Sequence, residues 1–174
     1  RNYVAELDRL QGRYQEAALL LERLVEEATA RLGEEHPQVH YFINNLAGIF
    51  KDQERFDEAQ TLLHRSLALR RAASEPDTQA IARATLNLAE LYRLQGRYSD
   101  AEPLYLEALD LARQSWGGES GELFEFVKQL AVLYREQGRF AEAEPLAREA
   151  RDVIVRELGP DHRKRQGDHG PAVP

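Results

Sequence analysis

Gly12-Arg13-Tyr14, Gly96-Arg97-Tyr98 and Gly138-Arg139-Phe140 are one triplet written three times, and Glu54-Arg55-Phe56 stands in the remaining place. The copies lie 42 residues apart, and four such units nearly fill the 174-residue chain. A fixed period of this length points away from one irregular core. Each unit has to bury its apolar face against the next, which makes a solenoid. Such an array offers one long repeated surface, and surfaces of that kind bind other chains.

The first half of each unit reads Val4-Ala5-x-Leu7, Leu46-Ala47-x-Ile49-Phe50, Leu88-Ala89-x-Leu91-Tyr92 and Leu130-Ala131-x-Leu133-Tyr134. Apolar residues at i, i+3 and i+4 share one helix face, and the alanine fixed between them predicts close approach of a second helix. The triplet then ends the helix, because glycine tolerates the left-handed conformation of a C-terminal cap, and its aromatic is expected to pack back across the turn. Ser99 to Glu102, and Asp57 with Gln60, read as capping boxes that open a second helix, with Pro103 and Pro145 expected in its first turn. The second helix follows as Ala17-x2-Leu20-Leu21, Ala59-x2-Leu62-Leu63, Ala101-x2-Leu104-Tyr105 and Ala143-x2-Leu146-Ala147.

Between hairpins lie turn-rich links at Leu32 to Pro37, Ser74 to Asp77, Trp116 to Glu119 and Leu158 to His162. Glycine and proline there stop one helix and start the next. No strand pattern occurs, so the expected fold is all-α, an array of antiparallel helix pairs. The hairpins are expected at about 1–36, 37–78, 79–120 and 121–162, with an irregular tail over 163–174. The tail leaves the last pair without a capping helix, which predicts exposed apolar surface and self-association there.

Composition narrows the partners. Thirty acidic against twenty-three basic side chains leave a net charge of −7, a poor match for nucleic acid, whose phosphates want a basic surface. There is no cysteine, so disulfides, thiolate metal sites and cysteine nucleophiles are excluded. No apolar run is long enough to span a bilayer and no leader opens the chain, so a cytoplasmic protein with no membrane partner is expected. The chain lacks an initiating methionine and opens inside a helical pattern, which reads as a piece of a longer protein.

The repeat resembles the tetratricopeptide repeat, whose signature pairs Leu-Gly/Ala-x2-Tyr in one helix with Ala-x3-aromatic in the next. Leu88-Ala89-x2-Tyr92 and Ala101-x3-Tyr105 match those elements. The length of 42 residues, and links such as Leu32-Gly33-Glu34-Glu35-His36-Pro37, look like the kinesin light chain type. Departures are Glu54 for glycine and Asp8 for the aromatic. The resemblance implies a right-handed superhelix whose concave face is lined by the first helix of each pair. It also implies binding of peptides there, acidic and tryptophan-containing in kinesin light chains.

A helical wheel places Leu88, Leu91, Tyr92 and Gln95 on one side of the third unit's first helix. Arg83, Leu86, Glu90 and Arg93 lie opposite, with Asn87 on the shoulder. The equivalent places hold Tyr41, Asn44, Gly48 and Lys51 with Asn45, and Glu125, Lys128, Val132 and Arg135 with Gln129. Arg9, Lys51, Arg93 and Arg135 thus form a basic column, and Asn45, Asn87 and Gln129 an amide row. A basic row beside an amide row suits an extended acidic peptide. The candidate peptide-binding residues are Asn44, Asn45, Lys51, Arg83, Asn87, Arg93, Lys128 and Arg135. Charged residues facing away from a core are as often just a solvated face, and the asparagines as often hold the neighbouring repeat.

Other chemistry is weakly signalled. His36 and His40 have i, i+4 spacing, but Pro37 between them marks a helix start, so a metal pair is not expected. Trp116 is expected to pack between repeats. No carboxylate sits beside a plausible base and nucleophile, and there is no phosphate-binding loop. The expectation is a non-catalytic scaffold without cofactor that binds a protein or peptide. The alternatives are a self-assembling array, homo-oligomeric through its end repeats, or the sensory arm of a larger signalling protein.

Overall fold

A computed structural model describes Ala5, residues 9–117 and residues 120–158 of the chain. Val4 and Leu7, Gly118 and Glu119, the last link beyond Leu158 and the tail over 163–174 lie outside the described residues. Seven helices are described: α1 (Tyr14–Leu32), α2 (Pro37–Asp52), α3 (Phe56–Ala72), α4 (Thr78–Leu94), α5 (Tyr98–Trp116), α6 (Leu123–Glu136) and α7 (Phe140–Leu158). No strand occurs among the described residues. The fold is an all-α repeat of the solenoid class, as the period implies. Two compact units divide it, residues 1–108 and 109–174. In the first unit α1 packs on α2, α2 on α3 and α3 on α4, and α2 also touches α4; in the second, α6 packs on α7.

The repeated apolar positions form the core. Leu46, Ala47, Ile49 and Phe50 of α2, and Leu88, Ala89, Leu91 and Tyr92 of α4, are buried, as are Leu130, Ala131, Leu133 and Tyr134 of α6. The alanine columns are buried too, with Ala17, Ala59, Ala89 and Ala101 at 0% exposure, which leaves no room at those helix crossings for a larger side chain.

The turns after α2, α4 and α6 share one construction. The residue after each helix cap is left-handed: Glu54 at φ 59°, Gly96 at 72° and Gly138 at 74°. The Gly96 N–H donates to the Arg93 carbonyl and the Arg97 N–H to the Tyr92 carbonyl, both at 2.9 Å, closing a Schellman cap. Arg55 and Arg139 donate in the same way to Phe50 and Tyr134, both at 2.8 Å. The three guanidinium carbons then sit 4.2 Å from the ring centroids of Phe50, Tyr92 and Tyr134. Each guanidinium also bonds the glutamine two residues back (Gln53, Gln95, Gln137) and pairs with the carboxylate three residues on (Glu58, Asp100, Glu142).

Three local expectations change. The triplet's arginine, not its aromatic, folds back across the turn, and Phe140 remains 66% exposed. The capping boxes do not form: Arg55 is the N-cap of α3 with no side-chain cap bond, and Ser99 already lies inside α5. The arginine's carbonyl begins the helix instead, accepting from Ala59 in α3 and from Ala101 in α5. For the same reason Pro103 and Pro145 are the sixth residues of α5 and α7, in the second turn, not the first. Around Arg148 the surface of α7 is charged. Glu144, Pro145, Arg148, Glu149, Asp152 and Arg156 line an open groove of about 420 Å³ along it.

Candidate functional site

Each candidate residue lies on the first helix of a pair: Asn44, Asn45 and Lys51 on α2, Arg83, Asn87 and Arg93 on α4, Lys128 and Arg135 on α6. The first six belong to the first unit and the last two to the second. Asparagine-free caps set the starts of α2 and α4. His36 Nδ1 accepts from the Gln38 N–H at 3.2 Å, and Asp77 Oδ1 from the Ala80 N–H at 3.0 Å, so each helix starts on a side-chain cap, α4 one residue earlier in its repeat than α2.

Lys51 crosses from α2 to α4, where its Nζ donates to Glu90 Oε2 at 2.7 Å. That bond sets corresponding faces of the two helices side by side. The rest of the basic column behaves differently at each step. Arg9 Nε donates to Asp52 Oδ2 at 2.6 Å, and Arg93 Nε to the Tyr105 hydroxyl at 3.3 Å. Lys128 Nζ donates to Glu125 Oε2 at 2.5 Å and lies 5.2 Å from the Phe124 ring centroid. Arg83 and Arg135 are exposed. Asn44, Asn45, Asn87 and Gln129 are half-buried; Gln129 donates to Glu125 Oε1 at 2.7 Å, and Asn44 Oδ1 is buried without a partner. Burial pushes the Glu125 carboxyl up, but its bonds from Lys128 and Gln129 outweigh that and hold it below its ordinary value.

Leu86, placed by the wheel on the open side, is buried. The reason is that α4 meets both α3 and α2, so its buried arc is wider than packing against one partner would give.

The two histidines do not converge. His36 caps α2, while His40 is buried one turn later with its Nδ1 3.0 Å from Ser66 Oγ of α3. Burial first, and then the nearby Arg70 cation, lower the His40 pKa to about 4 against the opposing pull of a backbone bond at Glu35. Trp116 stacks obliquely on Phe126, ring centroids 5.8 Å apart. Sequence reasoning missed the arginine clamp, although its signal is present: Gln53, Gln95 and Gln137 recur two places before it and Glu58, Asp100 and Glu142 three places after. It also missed the His40–Ser66 pair, for which a lone histidine in an apolar stretch gives no signal.

Paired helices on this period, with an alanine at each crossing, define a helical-repeat protein. Sequence profiles described as tetratricopeptide repeat match residues 41–114, and residues 1–38 with 129–164. The chain belongs to the tetratricopeptide repeat family. Its fold is shared with BtubC (BKLC) from P. vanneervenii, at 23% identity and TM-score 0.73, over 98% of this chain and 65% of that one. A putative kinesin light chain from Podosopora anserina, with nearly identical TPR-like repeats, superposes at 22% identity and TM-score 0.75 over 91% of this chain and 74% of that one. Bacillus thuringiensis PlcR, in complex with the peptide PapR7 and DNA, does so at 19% identity and TM-score 0.68, over 90% and 54%. The chain thus spans just under two thirds of BtubC and about half of PlcR. No curated protein sequence matches it significantly. No helix among the described residues is long and apolar enough to cross a membrane.

Proposed function

We propose that this chain is a non-catalytic interaction module that binds an extended acidic peptide segment. The segment lies on the outward face of α2 and α4. The observation that carries this reading is the Lys51–Glu90 bond, which aligns the two polar faces. Alignment turns Asn45 and Asn87 into a row of amides, with Arg83 exposed beside it. Amides at that spacing suit a peptide main chain, and arginine forks suit its carboxylates. The bound peptide in PlcR, a protein of the same fold, supports peptide binding by this architecture.

The test uses a short end-capped peptide of aspartate and glutamate around one tryptophan, labelled with fluorescein. Reversing Arg83→Glu should weaken its binding at least about tenfold, equivalent to roughly 1.4 kcal/mol. Added salt should weaken the wild-type complex, and helicity should stay unchanged. Unaltered affinity in the variant contradicts the assignment.

A further inference from the structure

Gly48 lies well inside α2, half-buried, and a Cβ added there would meet nothing within 4 Å. No close packing demands a glycine at this place. Yet a glycine in a helix interior weakens the helix relative to alanine, by leaving more backbone freedom in the unfolded chain. The absence of a side chain has a second consequence. In the next repeat the same position is Glu90, which receives Lys51. Arg9 holds the place of Lys51 one repeat earlier; with no carboxylate at 48, it bonds Asp52 instead. Position 48 therefore gives up both helix stability and a carboxylate facing the preceding repeat.

What surrounds the bare backbone gives it a use. At 100° per residue, Tyr41, Asn44, Asn45 and Lys51 all fall within about 60° of Gly48 on the helix circumference. Tyr41 is 52% exposed two turns before it. Asn44 and Asn45 stand one turn before, both half-buried, with the Asn44 Oδ1 turned away from solvent. Lys51 stands one turn after. The result is a gap floored by main chain and flanked by the Asn45 amide, the Lys51 ammonium on its bond to Glu90, and an exposed aromatic ring.

We propose that Gly48 is a specificity-determining position, its bare backbone forming the floor of a seat where an extended acidic peptide lies close against α2. The peptide main chain meets the Asn45 amide, and Tyr41 bounds the seat at its N-terminal end. A carboxylate at 48 would repel an acidic ligand, and any side chain would lift it off the helix. This inference rests on the acidic-peptide reading above and sharpens it to one place.

The full chain is compared with its Gly48→Ala and Gly48→Leu variants, using the same fluorescein-labelled acidic peptide and a thermal melt. Gly48→Ala should raise the melting temperature by about 3 °C, as a helix-favouring change does in a chain of this size. It should weaken peptide binding about fivefold, and Gly48→Leu more than about tenfold. A variant that is more stable yet binds more weakly cannot be explained by damage to the fold. If the wild-type chain binds and Gly48→Ala binds equally well, the seat is wrong and the wider face stands. If the wild-type chain does not bind the peptide at all, the acidic-peptide reading fails and takes the seat with it.

Discussion

The turns that close α2, α4 and α6 are built the same way three times, whereas the outward faces of those helices are built three different ways. In each turn an arginine closes the Schellman cap, stacks on the ring five residues before it, bonds a glutamine and pairs with a carboxylate of the next helix. On the faces, by contrast, Lys51 bridges to Glu90, Arg93 bonds Tyr105, and Lys128 folds onto its own helix at Glu125. Every hairpin needs its two helices locked, so the locking parts repeat. On the peptide-binding reading proposed above, the parts that would meet a ligand need not repeat and are free to differ.

The core adds a contrast between hairpins. His40 and Ser66 form a buried polar pair in the second repeat, and the third repeat has Ala82 and Ala108 at the same places. His40 is held neutral in the fold, with a pKa of about 4 against 6.5 for a free histidine. The neutral form is the one the fold favours, so its stabilisation is complete above pH 6.5. It is lost as the pH falls toward 4, by up to the order of 3 kcal/mol. Melting temperatures should therefore decline between pH 6.5 and 4.5, before the carboxylates titrate, and a His40→Gln variant should lose that slope. A flat profile in the wild-type chain, or an undiminished slope in the variant, would break the contrast.

The turn clamp comes next in size. Arg97→Ala removes the contact with Tyr92 and the bonds to Asp100, Gln95 and Gln60, all partly exposed. A loss of about 1–2 kcal/mol in urea unfolding is expected, with no change in acidic-peptide affinity. Weaker peptide binding at unchanged stability would reverse the division between turn and face. The smallest effect is expected at Glu54, the one non-glycine among the described left-handed residues. Glu54→Gly should stabilise the chain by about 0.5–1 kcal/mol, because a Cβ in that conformation crowds its own carbonyl. A loss of stability there would mean that the glutamate side chain makes up for its backbone.

The hairpins were legible in the sequence because one signal was repeated in register. Ala47, Ala89 and Ala131 could be placed at helix crossings from the period alone, and the glycines at the turns from their position after it. The N-termini of α3 and α5 were not, because Asp57 and Ser99 have capping chemistry but the arginine turn starts the helix before them. Leu86 was misplaced because a wheel drawn for one helix cannot count the neighbours on its other side. The candidate face was legible as residue types. Which of its cations are engaged was not: Lys51 and Glu90 are 39 residues apart and meet only when two repeats stack.

Amide and side-chain NMR shifts, followed as the acidic peptide is added, test the division most directly. Perturbations should gather at Asn45, Gly48, Lys51, Arg83 and Asn87, and leave Arg55, Arg97 and Arg139 still. Shifts gathered instead at those three arginines, or along the groove of α7 from Glu144 to Arg156, would contradict the account.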